Sequence, residues 1–277
     1  MTKNKKHIYQ VKNISDALYH LRIIPNMQVF GSCTRLRLDI EEKKLPQNIL
    51  ILKDTKELQL IEKHERFIDF GSQVTLTTIE ELGINKIPQI LYEALKSISS
   101  PFLKNIATIG GNICTNGIKG TLYAPLLALE SRLELKNANE TRLIPLSKFT
   151  EVPPNFLLSK IRIPNEEWDI SVFRRFGNPL LIDDTSASFA FLAKTQKGIL
   201  TEIRIAFAGF TVLRNTELEN QLIGSRLPLS NKTIESLLEE YKNFFIQKTD
   251  KKALFYHPIL KEQYLNLIQY CLHMLSK

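Results

Sequence analysis

The chain has 277 residues, 43% hydrophobic and 24% charged, enough for two domains or for one large one around a substantial core. Its 37 basic against 29 acidic residues give a net charge of +8, but the lysines are scattered and nothing resembles the arginine-rich helix or aromatic–basic sheet of a nucleic-acid module, so no nucleic-acid partner is expected. No apolar run reaches membrane-spanning length and the basic N-terminus has no apolar signal core, so no membrane partner is expected; the three widely spaced cysteines, Cys33, Cys114 and Cys271, suit a reducing cytoplasm and are too few to hold an iron–sulfur cluster alone.

In chain order, residues 16–21 read as part of a helix that ends before Pro25. Met27-Gln-Val-Phe30 and Arg35-Leu-Arg-Leu38 read as short strands flanking a small-residue turn, Phe30-Gly-Ser-Cys-Thr34. Residues 48–53 form an apolar strand, and 66–71 followed by Val74-Thr-Leu76 another. Thr77-Thr-Ile-Glu-Glu81 opens a helix with a hydroxyl cap and early acids. Residues 87–98 give another helix, stopped near Pro101.

Ala107-Thr-Ile-Gly-Gly-Asn-Ile-Cys-Thr115 follows, a β-branched approach to a glycine pair with an amide and a hydroxyl behind it. It reads either as an ordinary tight turn or as a phosphate-binding nest, in which paired glycines take backbone angles closed to other residues and aim successive N–H groups at one point. Thr108, Asn112 and Thr115 would add neutral donors. No Asp or Glu occurs between Glu93 and Glu130, where the average of 29 acids in 277 residues predicts about four. A second acid-free window, between Asp16 and Asp39, holds the Phe30–Thr34 turn. Acid-poor surroundings with lysines nearby favour a pyrophosphate, which unscreened carboxylates would repel.

Residues 125–135 run from a helical stretch into a strand, and Pro153-Pro154 precedes a further strand over 157–164. Beyond Trp168 the texture changes: 184–194 and 200–212 alternate as paired strands, with Gly209 as a bulge or close approach, and amphipathic helices cover 231–246 and 259–275. The domain boundary falls near 165–170. No G-x-G-x-x-G, Walker loop, H-E-x-x-H, paired Cys-x-x-Cys or catalytic triad is present, and His7, His20, His64, His257 and His273 lack metal-ligand spacing. No catalytic side chain and no metal site are therefore expected. A flavin suits such a chain, because it carries hydride and single-electron chemistry itself.

Ala107-Thr-Ile-Gly-Gly-Asn-Ile113 resembles the signature of the FAD-binding subunit of molybdenum hydroxylases, the xanthine dehydrogenase and carbon monoxide dehydrogenase group. The likeness continues, in the family's order, through 46–52 with Glu57-Leu58, Gly71-Ser-Gln-Val-Thr75, Phe102-Leu-Lys-Asn-Ile-Ala-Thr108, Leu126-Leu-Ala-Leu129, Arg142-Leu-Ile-Pro145, and Phe173-Arg-Arg-Phe-Gly177 before Asp183. The resemblance implies an α+β fold. A two-lobed FAD-binding domain of the PCMH type, 1–166, would precede a smaller C-terminal α+β domain, 167–277, of antiparallel sheet and helices. It further implies that Val29, Phe30, Gly31, Ser32, Cys33 and Thr34, with Thr108, Ile109, Gly110, Gly111 and Asn112, cradle the FAD pyrophosphate. Thr115 would lie near phosphate and ribose, Thr121 at the ribose position, Leu158 against the flavin ring and Arg175 near it. The implied partners are a large subunit with the molybdenum cofactor, a small ferredoxin-like 2Fe–2S subunit, and NAD or another electron acceptor. The chain departs from the family in its first loop (usually A-G-G-T-D or V-G-N-T-E), at Thr121 in place of an aspartate, and at about Asn178 in place of an arginine. Those departures motivate an alternative, a degenerate scaffold that has lost FAD; a stand-alone flavin reductase is a third reading, disfavoured by the absence of any legible substrate acid or base.

Overall fold

Residues 6–34 and 46–275 are described by the computed structural model, Leu254 and Tyr256 without their side chains; the strand expected over 35–38 lies outside the described residues. Contacts divide the chain into two units, Met1–Ile87, Ser100–Cys114 and Glu130–Asn165 against Pro88–Ser99, Thr115–Leu129 and Glu166–Lys277.

The first unit holds two sheets. Strands β1 (His7–Gln10), β2 (Met27–Phe30) and β3 (Asn48–Ile51) pair in parallel in the order β1-β3-β2. Helix Ile14–Ile23 carries the chain from β1 to β2 on the other side of β3, opened by Asn13, whose side chain accepts the Asp16 N–H. Ala17 and Leu21 of this helix pack with Leu50, Leu52, Leu58 and Leu157.

The second sheet is antiparallel: β4 (Ile61–Lys63), β5 (Phe67–Gly71), β6 (Arg132–Lys136), β7 (Thr141–Pro145) and β8 (Leu157–Pro164), in the order β4-β5-β8-β6-β7. Buried Asp69 on β5 receives two 2.8 Å hydrogen bonds from Arg162, its cross-strand neighbour on β8. Val74-Thr-Leu76 is not a strand. It makes one isolated bridge, Thr75 to Thr108, and the helix Leu76–Glu81 begins at once. Thr75, which accepts the Thr78 N–H, is the hydroxyl cap expected nearer Thr77, and no acid falls in the first turn.

The second unit is built on β9 (Ile170–Phe176), β10 (Ala187–Gln196), β11 (Ile199–Ala208) and β12 (Val212–Leu213), antiparallel in the order β12-β11-β10-β9. Phe189, Phe191 and Phe207 are fully buried in one core with Tyr241 and Phe245 of helix Asn231–Lys248 and Tyr264 of helix Pro258–Met274. Gly209 is a close approach, since a Cβ there would stand 2.8 Å from both the Ser186 carbonyl oxygen and the Ala187 Cβ. Two shorter helices, Thr216–Leu222 and Lys251–Tyr256, have caps in Asn215 and Asp250 that the periodicity alone did not reveal.

A buried ion pair organises this unit. Arg214 donates to Glu219 through Nε and Nη2 at 3.0–3.2 Å, and Glu219 also accepts the Ile205 N–H at 2.8 Å. Arg214 and Arg204 reach the carbonyls of Leu127 and Ala128 at the end of helix Tyr123–Ala128, each at 3.1 Å. Burial pushes the Glu219 carboxyl above its usual range, with the Arg214 hydrogen bonds opposing. Arg214→Ala leaves that carboxylate without its counter-ion and should destabilise the protein by about 3 kcal/mol, lowering the thermal midpoint by roughly 10 °C. An Arg214→Leu, Glu219→Met double variant should recover most of the loss in the same melt.

Candidate functional site

The two small-residue segments meet inside the first unit. Gly31, just past β2, has no Cβ; one built there would lie 3.0 and 3.1 Å from the amide atoms of Gln73 and 3.4 Å from Thr108 Oγ1. Three segments far apart in sequence therefore converge on Gly31, Gln73 and Thr108. Val29 is on β2 opposite Leu50 and half-exposed, and Phe30 continues the strand, its carbonyl accepting the Leu52 N–H. Cys33 carries the left-handed backbone of the loop, φ +58°, a conformation that glycine or asparagine adopts with less strain. Burial pushes its thiol above the usual range, so it is held as the neutral thiol. Thr34 is exposed.

The glycine pair does not form a nest. Ile109–Ile113 is one turn of helix, and neither Gly110 nor Gly111 has positive φ. The four N–H groups that would converge are all engaged within the chain: Ile109 with the Val74 carbonyl at 3.0 Å, Gly110 with Ser72 at 2.9 Å, Gly111 with Thr108 Oγ1 at 3.1 Å, and Asn112 with the Thr108 carbonyl at 2.9 Å. The first glycine is required for proximity, since a Cβ on Gly110 would lie 2.6 Å from the Ser72 carbonyl oxygen. At Gly111 a Cβ would meet only Thr108 Oγ1, at 3.1 Å.

Thr115, Thr121 and Arg175 belong to the second unit, whereas Thr108 to Asn112 belong to the first. Arg175 donates through Nε to Thr121 Oγ1 at 3.3 Å and through Nη2 to the Leu181 carbonyl at 2.9 Å. Burial pulls its guanidinium down from the usual range and nearby Asp183 opposes that. Leu158 is buried on β8 opposite Leu135, in the sheet interior.

Sequence reasoning missed Gln73. It is 6% exposed, its Oε1 has no hydrogen-bond partner among the described residues, and it lines a cleft of about 420 Å³ together with Ser32, Lys53, Thr75 and Asn105. Among the described residues the cleft lining contains no carboxylate, and Lys53 is its one charged group. Gln73 occupies the variable position of the Gly71-Ser-Gln-Val-Thr75 word, where no pattern marks it. Among the described residues, one group of acids and imidazole could hold a metal, Glu62, His64 and Asp69, but Lys160 and Arg162 already neutralise its two carboxylates, each at 2.7–2.8 Å. No helix among the described residues is long and apolar enough to cross a membrane.

The family described as the FAD binding domain in molybdopterin dehydrogenase matches residues 3–166. The chain is 31% identical over 206 residues to an indole-3-acetaldehyde oxidase of Zea mays, a match that covers 68% of this chain and only 15% of the oxidase. It is 26% identical over 212 residues to a xanthine dehydrogenase FAD-binding subunit of Escherichia coli O157:H7, covering 72% and 69% of the two chains. In three dimensions it is similar to a chain of the carbon monoxide dehydrogenase from Hydrogenophaga pseudoflava which lacks the Mo-pyranopterin moiety of the molybdenum cofactor, with a TM-score of 0.80 over 98% of this chain and 96% of that one, at 17% identity. That likeness establishes the fold, and the α+β architecture expected from the sequence is the one observed.

The contrast between the glycines is measurable. Gly110→Ala forces two backbones apart and should lower unfolding stability in urea by about 2 kcal/mol. Gly111→Ala gains helix propensity against one tight contact and should stay within about 1 kcal/mol of the parent.

Proposed function

The chain belongs to the family of FAD binding domains in molybdopterin dehydrogenases, which its residues 3–166 match, and from that membership we propose that it is the FAD-carrying electron-transfer subunit of a cytoplasmic molybdenum hydroxylase, an oxidoreductase of the xanthine dehydrogenase kind. In this reading 1–166 form the cofactor domain and 167–277 the C-terminal domain. Electrons come from 2Fe–2S clusters on a small partner subunit, behind a large subunit with the molybdenum cofactor, and leave to NAD or another acceptor.

The observation that carries the proposal is the convergence of Gly31 and Thr108 beside Gln73, with no carboxylate among the described residues that line the adjoining cleft. These residues fit a diphosphate-bearing dinucleotide. The Thr108 hydroxyl accepts from Gly111 and still has its own proton to donate, and the Gln73 acceptor is unpartnered among the described residues. FAD, when bound, supplies the hydride and single-electron chemistry. The chain's part is to hold the diphosphate with neutral donors and keep carboxylates away from it. Ser32, Cys33 and Thr34 complete the first loop, and Ile109 to Asn112 support Thr108 from behind.

A second reading, a scaffold of the same fold without FAD, draws on the engagement of all four N–H groups over 109–112 within the chain. A fluorescence titration of the purified protein with FAD separates the two. The electron-transfer reading expects stoichiometric binding and a flavin spectrum reducible through the partner subunits; absence of both would leave the scaffold. A bulky residue at position 31 displaces Gln73 and Thr108 together, so Gly31→Val should weaken FAD about tenfold or more with the thermal midpoint nearly unchanged, roughly the loss of one charge-assisted hydrogen bond.

A further inference from the structure

Resting on that FAD reading, we infer that Gln73 is a cofactor-contacting residue whose side-chain amide binds the diphosphate–ribose portion of the dinucleotide. Its main chain is fixed from both sides. The Gln73 N–H bonds the Leu58 carbonyl at 2.8 Å, and the preceding Ser72 N–H bonds the Ser159 carbonyl on β8 at 2.9 Å. The side chain is therefore delivered to one place, against Gly31, where a Cβ would be 3.0 Å from its Nε2. There it is 6% exposed with Oε1 unpartnered among the described residues. A buried amide acceptor left unpaired is unfavourable, and such a group calls for a partner.

The chemistry of that partner follows from the amide and its surroundings. An amide donates and accepts, which matches a sugar hydroxyl beside a phosphate oxygen. The described residues of the cleft that Gln73 lines contribute hydroxyls from Ser32, Thr75 and Thr78, an amide from Asn105 and one cation, Lys53, with no carboxylate among them to repel an anion. The same amide makes up for the first loop, where Ser32 and Thr34 stand in place of the family's glycine or amide and acid. A residue that only packed the loops would have its amide satisfied by protein neighbours.

Calorimetric titration of the full chain with FAD and with ADP tests the inference. Gln73→Ala should weaken both ligands about tenfold. Gln73→Glu, of the same shape but anionic, should weaken them further, about a hundredfold, and should keep its thermal midpoint, which carries the test if the alanine variant does not fold. Parent-like affinity for FAD in both variants overturns the inference and leaves the FAD reading standing. Weakened FAD with unchanged ADP overturns it too, by moving the contact to the flavin half. A parent protein that binds neither ligand removes both readings.

Discussion

Three backbone hydrogen bonds between residues 72–76 and 107–110 are the constraint on which the candidate site depends: Leu76 N–H to Ala107, Ile109 N–H to Val74, and Gly110 N–H to Ser72, all between 2.9 and 3.0 Å. This zipper exists because Gly110 has no Cβ, and it fixes Thr108 at its centre, bridged to Thr75. Ser72 is tied in turn to Ser159 on β8, and Gln73 to Leu58 beside the small parallel lobe. Both loops are thereby referred to the two sheets of the first unit. Thr108 and Gln73 owe their positions to backbone pairing, which is stiffer than side-chain packing and leaves their polar atoms available.

The glycine word was legible as a special place, and its mechanism was not. Sequence alone says that paired glycines permit unusual torsions; the structure uses one of them for closeness and leaves both in helical conformation. The left-handed residue of the other loop is Cys33, one position beyond Ser32, where the family pattern locates the missing glycine or amide. A torsion angle depends on how the loop closes against Gln73 and Thr108, and those contacts span about forty and eighty residues. Gln73 escaped for the same reason, since no local period or motif marks a side chain whose importance comes from what folds over it. Strands β3, β5, β8, β10 and β11 were legible because burial on a sheet leaves a run of apolar residues or a clean alternation. Helices Thr216–Leu222 and Lys251–Tyr256 are too short for a period to stand out, although Asn215 and Asp250 were readable as caps.

In the second unit the stiffening is ionic. Helix Tyr123–Ala128 ends on carbonyls that no further turn can satisfy, and Arg204 and Arg214 take two of them. Arg204 is itself stacked over Trp168 at 4.7 Å, and Arg214 is committed to Glu219. The chain passes from the first unit to the second between Cys114 and Thr115. The glycine segment is thus followed at once by residues held by a different device, and Thr121 sits in that second framework with Arg175.

The acid-free window between Glu93 and Glu130 takes on a more exact meaning once its lysines are located. Lys104 is paired with Glu80 in the first unit. Lys119 donates to the Thr115 carbonyl at 3.2 Å and lies 5.2 Å over the Tyr123 ring, and Lys96 lies 5.9 Å over Tyr92. Each positive charge in the 94–129 window therefore has a local engagement, and none lines the cleft beside Gly31. In the proposed FAD site the window would contribute the exclusion of carboxylates, with neutral hydroxyls and amides left to supply the donors. Such a site attracts a diphosphate by short-range hydrogen bonding more than by net charge. Salt screens the long-range part of an interaction and leaves direct hydrogen bonds largely intact, so affinity at a site of this design should vary little with ionic strength despite the chain's charge of +8.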